Sequence, residues 1–238
     1  MPQHILITGA NRGIGLEMTR QALARGDMVI AACRQPDAAS DLQTLATAQA
    51  GQLQIIAMDV RDEDAVKAAA AQTATLLDDQ KIDILVCNAG TLNARGGLTD
   101  AGHTPDNIQD SLLTNIAGVF YTARHFTAMM PDHAPKPARV AVISSQMGSS
   151  TRSGTMAPIY RATKAAATNL ARSMALELAP RGIAVGAYHP GWVQTDMGGA
   201  DAAITVEVSA AGLLQRFDAL DMTTSGLFET YAGEPLPF

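Results

Sequence analysis

Tyr160 and Lys164 stand four residues apart in the stretch IYRATKAAA (159–167). On a helix that spacing puts a phenol and an ammonium on one face, one turn apart. A free phenol has a pKa of about 10, so trading a proton near pH 7 needs roughly 4 kcal/mol of added stabilisation of the phenolate. A nearby ammonium supplies stabilisation of that sign. Two readings stand at this point: a proton donor with its tuner, or an exposed i, i+4 contact. The alanines around it favour helix and close packing.

A second stretch able to do chemistry is TGANRGIG (8–15), which follows the apolar run ILIT (5–8). Glycine lets a backbone approach a phosphate closely. A helix N-terminus offers it free N–H groups and a partial positive charge. The turn through Gly9, Asn11, Arg12, Gly13, Ile14 and Gly15 is expected to hold a dinucleotide, although its spacing departs from plain G-x-G-x-x-G. The competing reading is a tight turn without a ligand. The next apolar run ends at Cys33-Arg34, where an NAD-binding chain usually presents an acid to the ribose 2′-hydroxyl. The planar donor fork of Arg34 suits a 2′-phosphate instead, and Arg12 adds a second positive charge. NADP is therefore expected over NAD, unless both arginines are simply solvated.

Positioning these groups calls for a particular set of elements. Six short apolar runs read as buried strands: 5–8, 28–33, 53–58, 82–87, 139–144 and 183–188. Helical patterns fall between them at 14–25, 63–78, 106–130 and 159–179. Repeated βα units predict an α/β fold, a Rossmann-type doubly wound parallel sheet of about seven strands with helices on both faces. One domain over 1–238 is expected, with 195–225 its least regular part, a loop with short helices over a site, and a substrate loop near 195–215. Three polar stretches end strands on the rim of the glycine turn: VCNAG (86–90), VISSQMG (142–148) and YHPGWVQTD (188–196). Asn115 interrupts an apolar helix, which is costly unless its amide is bonded.

In order along the chain, Thr8-Gly9 with Gly13 and Gly15, Asn88-Ala89-Gly90, Asn115, Ser144-Ser145, Tyr160 with Lys164, and Pro190-Gly191 resemble the short-chain dehydrogenase/reductase family. The resemblance spans nearly the whole chain. More narrowly, HPGWVQTDMGG (189–199) and GLFETYAGEPLPF resemble the C-factor branch, which is similar to sniffer-type carbonyl reductases. The resemblance implies a catalytic set of Asn115, Ser145, Tyr160 and Lys164. Ser145 is preferred to Ser144 as the second of the pair. It would bond the substrate oxygen, and Asn115 would hold water or backbone in a relay to Lys164. Ser145 and Tyr160 are 15 positions apart, longer than the common pattern, and Ser149, Ser150 and Ser153 lie between them as spare hydroxyls. The implied cofactor contacts are Asp59 and Val60 at the adenine, then Asn88, Ala89, Gly90, Tyr160 and Lys164. Pro190, Gly191, Val193 and Thr195 would run along the nicotinamide.

The expected activity is NADP-dependent hydride transfer to or from a small carbonyl or alcohol. An alternative is a dinucleotide-binding signalling or regulatory protein. A third reading, an epimerase or dehydratase, has little room after Gly191. A net charge of −6 argues against nucleic-acid binding. No run reaches the roughly 18 apolar residues of a membrane span, and no leader is evident, so a cytoplasmic protein is expected. Cys33 and Cys87 read as buried thiols, and the five histidines lack metal-ligand spacing, so no metal is expected. The apolar helix faces suggest a homodimer or homotetramer. Residues 91–99, 147–156 and 195–215 should shape the substrate pocket, with Met147, Met156, Trp192 and Met197 making it apolar.

Overall fold

A computed structural model describes residues 2–49 and 51–238. Seven parallel strands form one sheet: β1 (His4–Thr8), β2 (Met28–Cys33), β3 (Leu53–Ala57), β4 (Ile84–Cys87), β5 (Ala138–Ile143), β6 (Ile183–His189) and β7 (Phe228–Thr230). Their spatial order is β3-β2-β1-β4-β5-β6-β7. The chain therefore winds outward from β1 to β3, then returns to build the other half from β4. The reversal opens a crevice between the carboxyl ends of β1 and β4.

Strand side chains alternate between two cores, as a sheet covered on both faces requires. Ile5 and Ile7 face α1 (Gly13–Ala24), α2 (Ser40–Ala48) and α7 (Val206–Ala219), together with Met18, Leu42, Leu213 and Phe217. Leu6, Val140, Val142 and Val185 face the other way. They meet α3 (Glu63–Leu77), α5 (Gly118–Phe126) and α6 (Pro158–Leu178) through Val66, Phe126 and Ala171. Both cysteines are buried and free; burial raises the Cys33 thiol and pushes Cys87 up to about 12.

Two expectations need correction. The single helix over 106–130 is broken: α4 (Pro105–Leu112) passes through a π-turn at Leu113–Ala117 into α5, and a 3₁₀ turn closes at Met129. The widened turn carries Asn115, whose amide bonds outside the helix. The second correction concerns 195–225, expected as a loop with short helices and a substrate loop to 215. Residues 206–219 form the regular helix α7, capped by Thr205 and packed on α1 through Ala210, Leu213 and Leu214. It is a covering helix of the sheet, and only residues before Val206 remain for a loop at the site. No helix among the described residues is long and apolar enough to cross a membrane.

Candidate active site

The glycine turn is held by the strand beside it. Thr8 Oγ1 accepts from the backbone N–H groups of Asn88 and Ala89, both at 3.0 Å. Asn88 Nδ2 donates back to Thr8 O at 2.8 Å and to Gly9 O at 3.2 Å. Gly9 has φ +64° and lies so close to Ala89 that a Cβ would meet its Cα at 3.0 Å. A Cβ on Gly15 would collide with Gly9 O and Asn88 Nδ2. α1 starts at Gly13 without a side-chain cap on its first N–H groups and without an acid in its first turn. Its N-terminus is thus open to an anion.

A cleft of about 690 Å³ runs from this turn along the carboxyl edge of the sheet. Gly9, Asn11, Arg12, Gly13, Ile14, Gly15, Arg34, Asp59, Val60, Asn88, Ala89, Gly90, Tyr160, Lys164, Pro190 and Thr195 all line it. Gly191 and Val193 do not: Gly191 lies against Ile204 and Tyr231, and Val193 is buried in a bridge to Ile204. Gln194, Asp196 and Met197 contribute instead. Arg34 is exposed at the end of β2 and followed by Gln35. Arg12 is paired, at 3.1 Å, with exposed Asp196.

The end of the cleft at β2 and β3 holds two residues not singled out in the sequence, Arg61 and Asp110. Arg61 grips Asp59 through Nε at 3.0 Å and Nη2 at 2.6 Å, and reaches Asp110 through Nη1 at 2.8 Å. The hydrogen bond from Arg61 holds the Asp59 carboxyl below its ordinary range. Arg61 sits two residues after Asp59, a signal that was legible. Asp110 is 49 positions further on, and only the fold brings it here.

The other end holds the hydroxyls and the amine. α6 carries Tyr160 on its first turn and Lys164 on its second. The lysine Nζ is 5.7 Å from the tyrosine ring centroid and donates to Ile143 O at 2.8 Å. Lys164 is 4% exposed, and burial lowers its pKa to about 8. Tyr160 is half-buried; burial around its hydroxyl pushes it up to about 12, with a hydrogen bond from Ser145 working the other way. The two serines are spent differently. Ser144 Oγ bonds Lys164 O and Thr168 Oγ1, fastening β5 to α6, while Ser145 Oγ accepts from Met147 N and lies in reach of the phenol.

Asn115 is fully buried beneath the cleft floor. Its Oδ1 accepts from Thr91 N at 2.8 Å, and its Nδ2 donates to Thr91 O at 2.9 Å and Thr163 Oγ1 at 3.0 Å. Thr163 Oγ1 in turn donates to Tyr160 O at 2.9 Å. Its bonds therefore fasten the loop after β4 to the helix of the Tyr–Lys pair.

Three loops close the substrate side. Ala157 N donates to Arg95 O and Gly96 O, so the loop after β4 meets the loop before α6. Arg95 Nη2 donates to Met197 O at 2.5 Å, bringing in the loop after β6. Trp192 is exposed there, with its indole N–H on Gly198 O. His189, at the end of β6, is buried; burial first, and the charge of Arg152 second, lower its pKa to about 4.

The family model described as short chain dehydrogenase matches residues 3–203. The chain is 36% identical over 161 residues to C-signal of Myxococcus xanthus, covering 66% of this chain and 93% of that one. Among solved structures it superposes on carbonyl reductase Sniffer of D. melanogaster with a TM-score of 0.93 at 28% identity, covering all of both chains. It superposes on an NADPH-bound carbonyl reductase from chicken fatty liver with a TM-score of 0.91 at 31% identity, covering 100% of this chain and 99% of that one.

Proposed function

The chain belongs to the short-chain dehydrogenase family, and we propose that it is an NADP-dependent carbonyl reductase with Tyr160 as general acid and base. The observation that carries this reading is one continuous cleft. It has an anion-binding turn at one end and a phenol and a buried amine at the other; Ser145 is not among the lining residues and lies buried within reach of the phenol. Arg34, standing where an NAD site usually has an acid, supports NADP over NAD. So does the NADPH held by the similar chicken enzyme. The glycine turn fits a pyrophosphate, because Gly9, Gly13 and Gly15 line the cleft where α1 begins with no side-chain cap and no acid in its first turn.

When bound, NADPH supplies hydride to the substrate's carbonyl carbon. The chain's own residues handle the oxygen. Tyr160 donates its phenolic proton to the developing alkoxide, and Ser145 donates a hydrogen bond to the same oxygen, stabilising charge where it forms. Lys164, charged at neutral pH, favours the phenolate left behind. Asn115 acts at one remove, holding Thr91 and α6 in register.

The test is NADPH consumption by the purified protein over aldehydes and ketones of varied size, with NADH in parallel. Turnover preferring NADPH is expected. The similarity to C-signal keeps a second reading in view, a dinucleotide-binding signalling protein with little turnover. Tight NADPH binding with no carbonyl reduced anywhere on the panel would favour it.

A further inference from the structure

Three arginines surround the substrate side without an acidic partner. Arg95 comes from the loop after β4, Arg152 from the loop before α6, and Arg161 from the position after Tyr160. Arg95 donates to Met197 O, Arg152 Nη1 to Gln146 Oε1 at 2.7 Å, and Arg161 to Arg152 O. Gln146 directly follows Ser145. Among the described residues none of the three has a carboxylate within 4.0 Å, while seven other arginines do. Nearby acids are already engaged: Asp100 takes the N–H groups of Gly96 and Gly102, and Asp196 pairs with Arg12.

A guanidinium carries five N–H donors. Fastening a loop through one neutral oxygen uses few of them and does not need the charge. None of the three lines the cleft itself; they stand on loops joined beside it through Ala157, Met197 and Arg152. Three like charges on such joined loops, in a chain of net charge −6, disfavour one another until an anion arrives. The same rim exposes Leu98, Met156 and Trp192, one from each converging loop.

We propose that Arg95, Arg152 and Arg161 recognise a carboxylate on the substrate, remote from its reacting carbonyl. The preferred substrate class is then an aldehyde or ketone with an apolar body and an acid group at its far end. Leu98, Met156 and Trp192 cover the body, and the arginines take the acid in the bidentate geometry that guanidinium and carboxylate share. This rests on the reductase reading above, so the test must separate the two.

The probes are 4-formylbenzoate and its neutral methyl ester, with NADPH at low salt. The acid should show about tenfold or greater advantage in kcat/KM, the scale of a charge-assisted hydrogen bond. Added salt should erode the advantage. Arg95→Gln and Arg152→Gln should each shrink the acid-to-ester ratio several-fold through KM, and Arg95→Lys should restore part of it, which a purely loop-fastening role would not do. A second arm needs no turnover: calorimetric titration of terephthalate against terephthalamide into the protein with NADP⁺. Equal turnover of acid and ester overturns the carboxylate site and leaves the reductase standing. Selective binding of terephthalate, with neither of these aldehydes nor any carbonyl of the wider panel reduced, keeps the arginine site and sinks the reductase reading. Neither turnover nor selective binding overturns both.

Discussion

In the proposed reduction, proton transfer at Tyr160 depends on two opposed effects, and burial is the larger in the protein alone. It pushes the phenol up to about 12 and the Lys164 ammonium down to about 8. At pH 7 the phenol is therefore protonated and the amine charged, the forms that reduction requires. As pH rises through about 8, Lys164 loses its charge and with it the stabilisation of phenolate. Reduction should hold at neutral pH, fall above about 8, and lose that limb in Lys164→Met; a kcat/KM profile from pH 6 to 10 reads this out. Alcohol oxidation should rise over the same range, because it needs the phenol deprotonated. A reduction profile flat to pH 10 would mean that Lys164 has no such part. The Tyr–Lys pair was legible because one helical turn separates its members. The direction of the phenol's shift was not, because it comes from strands and loops far away in the chain.

At the scale of elements, the join of β1 to α1 is the most constrained feature. Helix propensity alone would favour alanine at Gly15. Packing decides otherwise, since a Cβ there meets Gly9 O and the Asn88 side chain that locks β1 to β4. Gly15→Ala should cost about 1–3 kcal/mol in urea unfolding and weaken NADPH binding more than tenfold. Unchanged affinity would show that the turn yields without harm to its anion site. β1 through β6 and the helices α1, α3 and α6 were readable from apolar runs and their breaks, while α2 was not. The π-turn at Leu113–Ala117 was not, because a register change within a helix leaves no mark on composition. Asn115 was the clue, as a buried amide that needed bonds outside its own helix. α7 was missed because Gly212 and a run of small residues blur its period, although Thr205 marks its start.

At the scale of the molecule, the strand order sets one crevice, and the ends of that crevice divide the work. Arg34 lies at the end of β2, on the far side of the switch point from Tyr160, so cofactor choice and proton transfer are separable. Arg34→Asp should lower the NADPH-to-NADH preference in kcat/KM by about tenfold to a hundredfold while leaving Tyr160 chemistry in place. A preference that survives the change would move the 2′-phosphate contact elsewhere, with Arg12 the next residue to replace. The expected self-association can be checked by sedimentation velocity, where a dimer or tetramer should appear and a monomer at all concentrations would contradict it.

The most direct test of the account is Tyr160→Phe, assayed twice on one preparation: for NADPH affinity by fluorescence titration, and for carbonyl reduction under saturating NADPH. Removing one hydroxyl leaves the ring, α6 and the glycine turn unchanged. The account predicts NADPH affinity within about threefold of the parent and a loss of at least a hundredfold in kcat, the scale of a missing general acid. A variant that binds NADPH and still reduces the substrate within tenfold of the parent would contradict it.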